Sequence, residues 1–452
     1  MKRPVRSVFR LASLLAAAVM LHALPAFAQT LSPENAAEKL ASIARPVQTA
    51  SDLDPFVEKA GERRLVLLGE ATHGTIEFYE WRAEITRRLI TEKNVSFIAV
   101  EGDWNAFVPA NRYIKDLPDA PESAAKALER MERWPDWMWQ NAVIKDLLEW
   151  LRAYNDEMDE NRKVGIYGMD IYGAAASLEK APGYLEKPDP DLAGDFEAAL
   201  DCFAPYAGNP RNYITAMTQG RVDCSGDLSR ALGMLMENRD TFREKDPKAW
   251  LHAKQNAAVA FRAEKHYRMM TNRDFSSWNA RARNFYETVE RLMEYYGNDA
   301  RGIAWAHNTH MGDARATGTD PASDTMMENM GMHARKAMGR EKVFILGFGT
   351  HRGTVSAARV WEGSREEMTV PEAAPGSLED ILNRTGIPSA LFFSDEIQAI
   401  GFTEDHIGHR AIGVTYDPEN ERGNYVPTLW PERYDAFFFI DSTRALAPLD
   451  QN

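Results

Sequence analysis

Eight short apolar runs punctuate the chain, rich in β-branched or aromatic residues and stopping at Gly or polar positions. They are Leu65–Gly69, Val95–Val100, Lys163–Tyr167, Gly302–Ala306, Lys342–Phe348, Ala390–Phe393, Ala411–Thr415 and Ala436–Ile440. Their hydrophobicity is nearly continuous rather than alternating, which predicts strands buried on both faces of a mainly parallel sheet. Helical spacing fills many of the gaps. Phe78, Trp81, Ile85 and Leu89 share one face of a helix predicted over Thr75–Lys93, and a second is predicted over Ala142–Asn155.

From residue 177 to 300 the pattern changes. Long mixed-charge segments rich in Ala, Met and Leu, such as Asp227–Glu237, Ala249–Met270 and Ser277–Tyr296, hold no strand-like run. The reading is an α/β fold, a mainly parallel sheet between helices, with a large helical insertion. Its two parts span 29–176 and 301–452, around a helical lobe at 177–300. Glu366–Ser377, with Pro371 and Pro375, reads as a surface loop.

Residues 1–28 carry a different signal. Lys2, Arg3, Arg6 and Arg10 precede an apolar run from Leu11 to Leu24, and Ala26-Phe27-Ala28 offers a small-x-small cleavage site. That tripartite order predicts a secretory leader, export to the periplasm or medium, and no membrane anchor after cleavage. Cys202 and Cys224 are the only cysteines. In an exported chain they are expected to pair as a disulfide, two buried thiols being the alternative. The formal charge of −14 and the lack of a basic stripe argue against nucleic acid as a partner and leave a small molecule.

In open α/β sheets, sites form beyond the carboxyl ends of the strands. The first predicted strand ends in Glu70-Ala71-Thr72-His73-Gly74, the second in Glu101-Gly102-Asp103, the third in Gly168-Met169-Asp170 and the fourth in His307-Asn308-Thr309-His310. A parallel sheet gathers these acids and histidines at one edge. Singly, each has a structural reading: a helix cap, a strand-end carboxylate, an Asx turn. Together they would be costly to desolvate without a purpose. His73 is placed as a general base, with Glu70 or Glu101 fixing its tautomer. Arg82 has no acid three or four positions away on its helix, and it is assigned to an anion or developing oxyanion.

No Gly-x-Ser-x-Gly elbow, His-Glu-x-x-His helix or phosphate-cradling glycine loop occurs. The default expectation is no cofactor. The alternative is a divalent metal held by His73, His307, His310 and Glu101, which would suit a peptide or amide hydrolase. Trp137 and Trp139, with Trp134, are candidates for an aromatic wall, with core packing as the other reading.

These blocks resemble the erythromycin esterase family. The resemblance lies in Leu68-Gly69-Glu70-Ala71-Thr72-His73-Gly74 with Arg82, Val100-Glu101-Gly102-Asp103, Trp137-Met138-Trp139-Gln140-Asn141 and Tyr167-Gly168-Met169-Asp170. It continues through Ser277-Trp278-Asn279-Ala280-Arg281 and Trp305-Ala306-His307-Asn308-Thr309-His310. It implies opening of a macrolide-type lactone by water, with His73 as base. Glu70, Arg82, Glu101, His307 and His310 would line the cleft, and Asp170, Trp137, Trp139 and Arg281 would bind the substrate. After Arg281 the family pattern usually continues with an acid, whereas here Ala282-Arg283 follows. A third function class, a non-catalytic protein of envelope polysaccharide assembly, is kept beside these two.

Overall fold

Val66, Leu68, Ile98 and Val100 turn to one side of a central sheet, and Leu65, Leu67, Phe97 and Ala99 to the other. Both sides are core, so the runs show no alternation although side chains alternate in space. The computed structural model describes residues 33–272, 274–318, 327–402 and 406–449; the leader expected at 1–28 lies outside the described residues.

The strands are β1 (Arg45–Pro46), β2 (Leu65–Leu68), β3 (Phe97–Asp103), β4 (Gly165–Asp170), β5 (Gly302–Trp305), β6 (Val343–Ala357), β7 (Glu366–Val370), β8 (Ser389–Phe393), β9 (Ile407–Arg410), β10 (Tyr425–Thr428) and β11 (Ala436–Thr443). Nine of them form one sheet in the order β1-β8-β11-β6-β2-β5-β3-β4, with β7 paired to β6. From β11 to β4 all neighbours are parallel, while β1, β7 and β8 are antiparallel additions. The α/β class with a mainly parallel sheet therefore stands.

One face is covered by the helices Asp54–Gly61, Ile76–Lys93 and Ala142–Asp156, through side chains such as Phe56, Ile85 and Leu147. Helix Ser276–Tyr296 covers the other with Phe285, Val289 and Leu292. Between β4 and β5 the described chain is helical, and from Ala174 to Tyr267 it has its own core around Phe196, Phe203, Tyr213 and Trp250. The Cys202–Cys224 disulfide ties this region together. Among the described residues no helix is long and apolar enough to cross a membrane.

Two expectations need correction. The run at 411–415 is not a strand: only Ile412 and Thr415 make single bridges, to Thr72 and Ala358. Its hydrophobicity reflects burial of a connector, since Ile412 packs with Val355, Ala357 and Met368 and its N–H donates to the Ala71 carbonyl at 2.8 Å. Conversely, 366–377 is not all loop. Its first five residues form β7, in which Met368 and Val370 turn inward, and the prolines follow the strand.

Candidate active site

The neighbouring strands β2, β5, β3 and β4 deliver their carboxyl ends to one cleft of about 1180 Å³. Beyond β2 the chain turns through Gly69, where a Cβ would lie 2.1 Å from Asn308 Oδ1. Only glycine allows that approach. Asn308 in turn donates to the Phe348 carbonyl at 2.7 Å, and its N–H donates to the Glu70 carbonyl at 2.8 Å. The side-chain amide and main chain of one residue thus fix the ends of β2 and β5 against β6.

Glu70 faces His73 and Arg82 at once. The His73 Nδ1–H donates to Oε1 at 2.9 Å, and the Arg82 guanidinium pairs with the other oxygen. Because a carboxylate only accepts, the proton of neutral His73 sits on Nδ1, leaving Nε2 basic in the wall of the cleft. Burial acts to lower the His73 pKa, but the Glu101 charge and the Glu70 hydrogen bond outweigh it and hold the imidazole above its ordinary value.

Glu70 and Arg82 are each 1% exposed and do not line the cleft, contrary to expectation, and Arg82 sits over Tyr79 and Trp305. The expectation that it meets an oxyanion is corrected. The partner absent from its helix is Glu70, which links it to His73.

Glu101 lies near the carboxyl end of β3, within an irregularity in its pairing with β4. It accepts from Arg281 at 2.8 Å and from the His307 N–H at 2.9 Å, and it lies 3.2 Å from His310 Nε2. Burial acts to raise its pKa, but His310, His73 and Arg281 hold the carboxyl well below the usual range. Arg281, on helix Ser276–Tyr296, grips Asp170 with two parallel bonds of 2.8 and 2.7 Å and also reaches His310 at 3.0 Å. Such a fork is the strong form of ion pair. Arg133 extends the network, pairing with Asp103 at 2.8 Å and approaching Asp170 at 3.6 Å.

The three histidines are not equivalent. His307 donates from Nε2 to the Ala71 carbonyl at 3.1 Å and accepts at Nδ1 from the Thr309 N–H at 3.2 Å. Both nitrogens are occupied in the neutral form, and burial and neighbouring His73 push its pKa well below normal. Its ring packs 4.9 Å from that of His73. His310 is stacked flat on Trp278 at 4.4 Å, and burial outweighs Glu101 to lower its pKa. Of the three, only His73 has its pKa raised, and it lines the cleft.

Among the described residues, no group of three or more His, Cys, Asp and Glu side chains is arranged to hold a metal ion. His73, His307, His310 and Glu101 share one cleft without forming such a donor set. The positive charges among these carboxylates are the Arg281 and Arg133 guanidiniums.

Asp170 and Arg281 line the cleft, whereas Trp137 and Trp139 do not. Those two are buried, Trp139 edge-on to Phe107 at 5.1 Å, so the core reading holds for both. Trp134 and Met138 from the same segment do face the cleft. Arg283, where the family pattern has a different continuation, points away to Glu328 at 3.4 Å. Sequence reasoning missed Arg133 and Trp278; both sit in segments without a strand-end position to mark them.

The chain resembles known proteins in sequence family and in fold. A model of the erythromycin esterase family matches residues 90–443, a span that takes in Glu101, Asp170, Arg281, His307 and His310, while Glu70, His73 and Arg82 precede it. A Bacillus cereus protein has the same fold at TM-score 0.77 and 19% identity, over 93% of this chain and 100% of its own. A succinoglycan biosynthesis protein matches at TM-score 0.74 and 19% identity, over 92% of this chain and 99% of its own. The erythromycin esterase EreC, a histidine-to-asparagine mutant in its open conformation, matches at TM-score 0.64 and 16% identity, over 90% of this chain and 97% of its own. At these identities the structures speak to the fold, and the family model to descent. With 354 of its 452 residues under that model, the chain belongs to the erythromycin esterase family.

Proposed function

We propose that the protein is an exported hydrolase that opens a carboxylic ester, a macrolide-type lactone, by water activated at His73. The observation that carries the reading is the Arg82–Glu70–His73 chain, which leaves one basic nitrogen in the cleft. His73 Nε2 takes a proton from water as its oxygen bonds to the ester carbonyl carbon. Glu70 stabilises the imidazolium that forms. Arg281, which lines the cleft, supplies positive charge toward the tetrahedral oxyanion. On collapse the carbon–alkoxide bond breaks, and the alkoxide takes the proton back from His73. Side chains alone carry these steps, and the ligand is a small molecule rather than nucleic acid.

Mass-spectrometric screening of the mature protein against a panel of lactones, with and without chelator, tests this. Gain of one water on a panel member, lost in His73→Ala, is expected. Loss of that activity on chelation, restored by one divalent ion, would instead support the metal-dependent amide hydrolase. The fold shared with the succinoglycan biosynthesis protein favours a second reading, a non-catalytic role in polysaccharide assembly. Glycan binding without turnover, unchanged in His73→Ala, would select it.

A further inference from the structure

The rim of the cleft exposes apolar side chains that core packing does not explain. Trp361 is 57% exposed and Val360 65%, at the tip of the hairpin that joins β6 to β7. Met270, 48% exposed, follows the helix Pro247–Met269. Trp361, Met270 and Trp134 all line the cleft whose floor holds His73.

Trp361 is held rather than loose. Its ring lies 4.8 Å from that of Trp134, edge to face, and the Trp134 indole N–H donates to the Gly363 carbonyl at 2.9 Å. The Gly363 N–H closes the turn on the Val360 carbonyl at 2.9 Å, and Glu362 adopts a left-handed φ of 60°. The stem is tied by the Ala358 N–H to the Val414 carbonyl at 3.0 Å and by the Tyr416 N–H to the Ala358 carbonyl at 2.9 Å. The turn thus presents the Trp361 indole to water in a fixed position.

The rim and the polar floor line the same cleft, so a ligand large enough to span it touches both. The cleft, at about 1180 Å³, lies above the roughly 300–1,000 Å³ usual for small-molecule sites. Resting on the hydrolase reading, we infer that Trp361, braced by Trp134 and joined by Met270, is a fixed apolar rim that selects esters with a bulky apolar body. The ester bond lies at the His73 floor and the body lies against the indoles. Short esters reach the floor without using the rim.

The test compares a sixteen-membered lactone, pentadecanolide, with ethyl acetate in wild type, Trp361→Ala and Trp361→Phe. In Trp361→Ala, kcat/KM for the lactone relative to ethyl acetate falls about tenfold, mostly through KM, and Trp361→Phe recovers most of it. A parallel fall for both esters, or none for either, overturns the rim. If neither ester is hydrolysed, calorimetric titration of the lactone separates the two ideas. Binding about tenfold weaker in Trp361→Ala keeps the rim although the hydrolase reading has failed. Equal affinity in both proteins, or no binding by wild type, overturns it.

Discussion

His73 Nδ1 lies 2.9 Å from Glu70 Oε1, and the other oxygen of that carboxylate is held by Arg82. His73 therefore has a fixed tautomer before any ligand arrives. Replacing His73 by Ala should reduce ester turnover by about 10²–10⁴-fold, the usual worth of a general base. The unfolding midpoint should shift by only a few degrees, because Glu70 keeps Arg82 as partner. Retention of a tenth of wild-type turnover would remove His73 from this role.

Arg82 acts through Glu70. Arg82→Met leaves a buried carboxylate with one partner fewer, and chemical denaturation should show a loss of about 3–5 kcal/mol. KM should stay close to wild type, since the guanidinium does not reach the cleft. A raised KM with unchanged stability would return Arg82 to a substrate-binding part.

The pH profile follows from the carboxylates around His73. The imidazole is held above its ordinary value, so kcat/KM should rise with pH through a limb above about 6.5, as the base loses its proton. Glu101→Gln removes the charge that does most to hold that proton. Its limb should move to lower pH, with a lower kcat plateau. A limb that stays in place would show that Glu101 does not act on the base.

Stability should respond to acid through a different histidine. His252 accepts from the Trp104 indole at 3.2 Å, and burial pushes its pKa down to about 3. The unfolded chain binds this proton near pH 6.5 and the folded chain does not, so stability falls as pH drops. The slope attributable to His252 approaches about 1.4 kcal/mol per pH unit between about 6.5 and 3. His252→Phe should flatten the dependence of the melting temperature on pH; an unchanged slope would contradict the assignment.

The Cys202–Cys224 bridge closes a loop of sequence separation 22 in the helical region. Cys202→Ala with Cys224→Ala should lower unfolding free energy by about 3 kcal/mol, through the greater freedom of the open chain. Equal melting of the oxidised and double-variant proteins would show that the bridge contributes nothing measurable.

Much of the floor was legible because strand ends announce themselves. Continuous apolar runs placed Glu70, Glu101, Asp170 and His307 at one edge, and parallel pairing does the rest. The same logic failed at Ile412, whose burial in a connector looks like a strand when read one residue at a time. It also could not tell the three histidines apart, since their nitrogens are assigned by Ala71, Thr309, Glu70 and Arg281 only in space. Arg82 showed the absence of a helical partner but not which acid supplied it. Trp137 and Trp139 could be core or wall on spacing alone, and only packing against residues such as Phe107 decides between them.

The hairpin tip bearing Trp361 and the helical stretch bearing Met270 both hang outside the nine-stranded sheet that supplies the proton-handling groups. Segments of that kind can be exchanged or lengthened while strand register stays as it is. Proteins built on this sheet can therefore differ in the walls of the cleft while keeping the side chains at its strand ends.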